Sequence, residues 1–389
     1  METFTMKLLL KPVAIFLSAY TILSFQTIQE EPLTIKPSSS PKIQAAILLD
    51  VSNSMDGLIA QAKAQLWNMV SVMGKTKCNG ATPQIEIALY EYGRDNNNPS
   101  KGYVKQISPF TNDLDKLSED LFGLTTNGGE EYCGQVIQTS LTELNWDPSS
   151  DNYKVIFISG NEDFLQGSVS YTLACSEAKK KGVIVNTIYC GDRRQGIKEH
   201  WNLLGECGDG SFTNINSDAG PEDIPTPYDS TLITLNTKLN GTYIYYGQQG
   251  TQKQAMQAKA DAANAKVNGY TAANRTAVKG NKSTYNNAGW DLIDAKDEDK
   301  KVLEKIDYKT LPDSLKNKNK EQLEVIVDQK SKERAAIQSQ IQTVNAQRGK
   351  FIEEERKRKA ASANNATTLE TEIEKIIKKQ AKRFNMKVE

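Results

Sequence analysis

One histidine, His200, stands in 389 residues. A His-rich metal centre therefore cannot be built, and a Ser-His-Asp relay would have to recruit Lys198-Glu199-His200-Trp201, which patterns as a surface helix. The five cysteines, Cys78, Cys133, Cys175, Cys190 and Cys207, include no C-x-x-C pair, which excludes zinc-ribbon and dithiol redox spacings. Their odd number leaves at least one thiol unpaired within the chain. Net charge is absent too, with 48 basic residues against 48 acidic ones, so nothing draws the whole chain toward nucleic acid or anionic lipid. No phosphate loop exists, because Gly128-Gly129 runs into Glu130-Glu131, the wrong charge for a nucleotide. The basic run Arg356 to Lys359 follows Glu353-Glu354-Glu355 and reads as a solvated charged face.

The apolar stretch Val13 to Phe25 is too short to span a bilayer comfortably, a task that needs about 20 residues. It follows Lys7 and Lys11 and has the form of a secretory signal. Ser24-Phe25-Gln26-Thr27 offers no A-x-A cleavage site, so a removed signal and a retained N-terminal anchor both stand. Residues 1–30 are accordingly a signal or anchor and 31–42 a Pro/Ser linker. The chain is expected to be exported to the periplasm or cell envelope, with membrane contact only through that first segment.

What is present begins at Ile43. Short apolar runs alternate with helical patterns up to residue 217. Ile43 to Leu49 is a buried-strand run, and Leu58, Ala62, Leu66, Met69 and Met73 then recur at helical spacing. Ile85 to Tyr92 alternates as a strand, and Tyr103 to Ile107 can pair with it across a polar loop. Tyr153 to Ser159 and Gly182 to Tyr189 read as buried parallel strands separated by a helix, and Gly196 to Leu204 as a last helix before a short strand at 211–215. Such alternation predicts right-handed crossovers and an α/β fold, a Rossmann-like doubly wound, mostly parallel sheet. Ligands of such sheets sit beyond the C-terminal strand ends, here at Asp50, Ser159-Gly160 and Cys190-Gly191.

Residues 218–230 form a proline-punctuated linker, and 231–389 a largely α-helical region. In it Gly269 interrupts the helical pattern 252–277. The longest helix, 321–352, carries Leu323, Ile326, Ile337, Ile341 and Val344 near coiled-coil spacing, with Lys330 and Arg334 charged in the seam.

The stretch Leu48-Leu49-Asp50-Val51-Ser52-Asn53-Ser54-Met55 carries the chemistry. An apolar strand that delivers D-x-S-x-S sets one carboxylate and two hydroxyls on a tight loop, hard oxygen donors suited to Mg²⁺, Mn²⁺ or Ca²⁺. The bland reading is that Asp50, Ser52 and Ser54 cap the following helix.

With this motif between a strand and a helix, residues 43–217 resemble the von Willebrand factor type A (VWA) family. The strings Ser159 to Phe164, Gly182 to Gly191 and Gly128 to Gly134 are more narrowly similar to exported, uncharacterised bacterial proteins with such a domain. The resemblance implies a metal-ion-dependent adhesion site (MIDAS) with Asp50, Ser52 and Ser54 as ligands, and a non-enzymatic role in binding a protein partner. Two further ligands of the family depart. Glu130 stands where a loop threonine is expected, with Thr125 and Thr126 nearby. Gly160 or Asn161 replaces an aspartate, with Glu162 and Asp163 following. In the same model Cys133 and Cys190 lie near one sheet edge, so a Cys133–Cys190 disulfide is one expectation and a Cys190–Cys207 link its competitor. Two other readings stay open: a metal-dependent hydrolase using the same face, and a structural envelope protein that binds through its helical half.

Overall fold

Lys42–Asp50 (β1) is buried along almost its whole length, and its side chains alternate between two separate cores. Ile43, Ala45 and Leu49 enter one and Ala46 and Leu48 the other, as the period-two geometry of a central strand dictates. In the computed structural model, Met1 and residues 40–361 and 368–388 are described; the signal or anchor segment and most of the 31–42 linker lie outside the described residues.

The sheet-forming part runs β1, α1 (Asp56–Gly74), β2 (Thr76–Cys78), β3 (Gln84–Tyr92), β4 (Lys105–Thr111), α2 (Leu114–Phe122), α3 (Cys133–Glu143) and β5 (Tyr153–Gly160). It continues with α4 (Tyr171–Lys181), β6 (Ile184–Cys190), α5 (Arg193–Lys198), α6 (Trp201–Cys207) and β7 (Phe212–Ile215). Six strands form one sheet in the order β4-β3-β1-β5-β6-β7. All neighbours are parallel except β3 and β4, whose antiparallel pairing carries register shifts. This is the doubly wound, mostly parallel fold that the alternation predicts. The predicted helix over 196–204 is two helices instead. His200 adopts a left-handed conformation (φ 65°) at the break, where its ring pairs with Asp163 at 3.0 Å.

The rest is helical: α7 (Asp229–Asn240), α8 (Gly250–Val267), α9 (Gly269–Lys279), α10 (Leu292–Glu298), α11 (Val302–Lys305), α12 (Lys320–Ala361) and α13 (Leu369–Gln380), closed by β8 (Met386–Val388). These helices share a core with the sheet. Helices α3, α4 and α6 cover one face, and α1 and α2 cover the other over β1 and β3. On that second face Tyr153, Phe157, Ile184 and Ile188 are covered by α13, whose Ile373, Ile376 and Ile377 complete the cluster. Gln380 seals the contact, accepting from the Tyr153 hydroxyl at 2.8 Å and donating to Asn186 Oδ1 at 2.7 Å. Strand β8 then pairs antiparallel with β2.

Buried ion pairs fix the helices to one another and to α2. Arg275 lies over the Trp67 ring at 4.5 Å and pairs with Asp115 at 2.8 Å and with Asp261. The charged seam of α12 divides. Lys330 stays at the surface, whereas Arg334 is buried over Tyr243 and paired with Asp291 and Asp294 at 2.6 and 2.9 Å. Neither expected disulfide forms: Cys133 and Cys190 are free buried thiols, and it is Cys175 that is disulfide-bonded.

Candidate metal centre at the sheet edge

Strand β1 ends at Asp50 because its register between β3 and β5 runs out there, and the chain turns through Val51 into a short 3₁₀ turn at Asn53–Met55 before α1. The loop is pinned from both sides. Val51 N–H donates to the Tyr92 carbonyl, and the Val51 carbonyl accepts from Asn127 N–H, both at 2.9 Å. Asp50 is fully buried. Its Oδ1 accepts from the Ser52 amide at 2.8 Å, while Oδ2 has no hydrogen-bond partner among the described residues. A buried carboxylate oxygen without a donor is costly. Burial accordingly raises the Asp50 pKa to about 7, against the pull of Ser52 and with the help of the Glu162 charge.

The two serines stand beside it. Ser52 Oγ and Ser54 Oγ are 3.4 Å apart, and Ser54 Oγ exchanges hydrogen bonds with the Asn161 side-chain amide at 3.2 to 3.3 Å. Thus Asn161, from the turn that follows β5, reaches the motif loop. Two glycines let the neighbouring backbones in. A Cβ on Gly160 would stand 2.6 Å from the Tyr92 hydroxyl and 3.0 Å from Asp50 Oδ2. On Gly93, whose φ is +80°, a Cβ would stand 2.8 Å from Asp50 Oδ1 and 2.9 Å from Glu131 Cγ.

That last contact brings to Asp50 a carboxylate from outside the expected ligand set. Glu130 is exposed, whereas Glu131 is buried and closes on Asp50 across Gly93. Burial raises its pKa to about 8, with the charges of Asp50, Glu162 and Glu130 adding to the effect. In a run of two glutamates nothing local tells which side chain turns inward; the Gly-Gly pair ahead of them hints that the loop is packed. Gly129 lies against the Gly93 carbonyl and the Arg94-Asp95 backbone, a contact that sets the direction of the two glutamates after it.

Of the remaining candidates, Thr126 donates its hydroxyl to Asp56, and Thr125 accepts from Arg94 at 3.1 Å. The Glu162 side chain is exposed while its carbonyl holds Trp201 Nε1 at 2.7 Å. Asp163 turns away to His200. Beneath Asp50, the Tyr92 hydroxyl donates to the Ser159 carbonyl at 3.0 Å, and the Cys133 thiol approaches Tyr92 at 3.8 Å. Burial pushes the Cys133 and Cys190 thiols upward, so both are neutral packing groups.

Among the described residues no group of three His, Cys, Asp or Glu side chains is arranged around one point to hold a metal ion. The donor set here is of another kind. A buried carboxylate oxygen without a donor and two adjacent hydroxyls fit a hard divalent cation, and such a cation would neutralise the orphaned Asp50 oxygen.

No family model matches the chain, and no curated protein matches it. Solved structures do. The VWA domain of SpRpn10 is 16% identical over 45% of this chain and 88% of its own, with a TM-score of 0.35. Proximal thread matrix protein 1 from the mussel byssus, with a zinc-occupied MIDAS motif, is 14% identical over 46% of this chain and 43% of its own, at 0.34. An aerotolerance-related membrane protein from Bacteroides fragilis is 15% identical over 46% and 94%, at 0.32. The chain's own strand order is that of a doubly wound, mostly parallel sheet, and a helical region follows it.

Proposed function

We propose that this chain is an interaction protein that engages a protein partner at the C-terminal edge of its sheet through a divalent cation held by Asp50, Ser52 and Ser54. The observation that carries the reading is the Asp50 Oδ2 atom, fully buried and without a hydrogen-bond partner among the described residues, at the head of a loop whose Ser52 and Ser54 hydroxyls are 3.4 Å apart. When bound, the cation would supply an open coordination position for an acidic group of the partner. The protein's own groups do the rest. The Ser52 amide fixes the Asp50 carboxylate, Asn161 orients Ser54, and Gly93 and Gly160 leave the Asp50 oxygens free of a side chain that would press on them. Because Asp50, raised to about 7, is about half protonated near neutral pH without a cation, binding must release protons and must strengthen as pH rises. Glu131 is an additional carboxylate within the site's reach, and as a neutral acid it leaves the cation's charge available to the partner.

The test is calorimetric titration of the full chain with Mg²⁺ or Mn²⁺ in two buffers of different ionisation enthalpy, alongside Asp50→Ala. Binding with buffer-dependent heat, absent in the variant, is expected; identical heats in both proteins would remove the cation from the function. Capture of an envelope protein that is lost in EDTA supports the interaction role, and steady turnover of ester or peptide substrates would replace it by a metal-dependent hydrolase. Export is part of the proposal and rests on Lys7, Lys11 and the apolar stretch Val13 to Phe25. No described helix is long and apolar enough to cross a membrane. Fractionation of cells that express the chain checks it: recovery only from the cytoplasm would withdraw this part.

A further inference from the structure

At the far end of α1, about 28 Å from the motif loop for a 19-residue helix at 1.5 Å per residue, a cavity of about 140 Å³ lies between α1, α9, α12, α13 and β8. It opens into a cleft of about 400 Å³ that shares Ser71, Lys75 and Glu353 with it. Most charges on its wall are already engaged. Arg348 donates to Asp229, to Asn274 Oδ1 at 2.7 Å and to the Tyr270 carbonyl. Arg356 is held by Glu222, Glu370 and Glu374, and Lys378 by Glu374.

Among the buried groups of the wall, what is left over are donors, while the Glu353 carboxylate lies exposed to solvent at the rim that the cavity shares with the cleft. Asn274 is 7% exposed and its Nδ2 has no partner among the described residues. Its amide orientation is not arbitrary, because Arg348 donates to the oxygen and so the nitrogen must be the group left over. The buried Nδ2 of Asn68 is likewise unpartnered. The Lys75 ammonium makes no ion pair of 4.0 Å or less among the described residues. Its side chain is exposed at the mouth of the cavity, and the charges of Glu374 and Glu353 act on it from farther away. A room with orphaned N–H groups and a cation, but no orphaned buried acceptor on its wall, suits a ligand that only accepts.

We propose that this cavity is a binding site for a small oxyanion of the phosphate class, with oxygens that accept from Asn274 Nδ2, Asn68 Nδ2 and Lys75 Nζ. The adjoining cleft has room for the organic part of a phosphomonoester, so the shared chemistry is the phosphoryl group.

The experiment titrates the full chain with inorganic phosphate and with glycerol 3-phosphate at constant ionic strength. EDTA is present throughout, so the cation site at the other end of α1 contributes nothing. Saturable binding that weakens at least tenfold in Asn274→Asp and in Lys75→Met is expected. The first variant keeps an acceptor for Arg348 and turns the inward donor into a carboxylate; the second removes a charge that no structural pair uses. Circular dichroism checks that both are folded, and a remote Lys101→Met should bind as wild type does. Phosphate without the ester assigns the free ion, and both together assign a phosphorylated small molecule. Absence of saturable binding in the wild type, or equal affinity in wild type and both variants, overturns the proposal and leaves a water-filled cavity.

Discussion

Replacing Asp50 by Asn should make the cation-free protein more stable while it destroys the proposed site. The wild-type carboxyl titrates at about 7 in the fold against 3.8 as its ordinary value. Its folded-state pKa is raised, so its contribution is most favourable below pH 3.8 and is lost as pH climbs through 7. A shift of about three units corresponds to roughly 4 kcal/mol at full ionisation, at about 1.4 kcal/mol per unit. Asn keeps the shape and an acceptor for the Ser52 amide but never ionises. In EDTA the variant should therefore gain on the wild type by roughly 2.5 kcal/mol as pH goes from 5 to 8, approaching about 4 kcal/mol at the alkaline end. Urea denaturation at several pH values measures the difference directly. With Mg²⁺ or Mn²⁺ the wild type alone should be stabilised, and the gap should narrow or reverse. A stability difference that stays flat between pH 5 and 8 in EDTA would refute the assignment of Asp50 as an uncompensated buried acid.

Gly93→Ala should cost about 1–3 kcal/mol through its positive φ and abolish cation-dependent stabilisation, since its Cβ would press on Asp50 and Glu131; thermal melts with and without Mg²⁺ read both effects. Ile377→Ala opens a cavity in the core shared by α13 and the sheet and should cost about 2–5 kcal/mol, in a single cooperative unfolding transition if the two parts are one unit. Arg334→Met leaves Asp291 and Asp294 buried without their cation and should cost about 3–5 kcal/mol; a half-buried control whose ion pair with Glu333 lies at the surface, Lys330→Met, should stay within about 0.5 kcal/mol in the same chemical denaturation assay. Native Cys133 and Cys190 should resist a thiol reagent until urea unfolds the chain, because both are buried and neutral; rapid native labelling of either would contradict their placement beneath Asp50.

The doubly wound sheet was legible in the sequence because strands such as Ile43 to Leu49 and helices such as Leu58 to Met73 carry their periods locally. Asp50, Ser52 and Ser54 were legible for the same reason: one short loop fixes their mutual position, and the strand before it fixes their place on the sheet edge. Local sequence could not decide which of Glu130 and Glu131 faces Asp50. That choice depends on Gly129 packing against Gly93 and Arg94, contacts made across the chain. Nor could it pair the cysteines, whose separations depend on how α3, α4 and α6 stack on β5 and β6. The charged seam position Arg334 can be buried only because Tyr243, Asp291 and Asp294, distant in sequence, are brought around it. The same holds for the last helix. Leu369, Ile373, Ile376 and Ile377 recur at helical spacing, so it must bury one face. That this face completes the sheet core over Tyr153 and Ile188 was decided by topology, because the crossover helices leave that part of the sheet uncovered and only a distant segment can fill it.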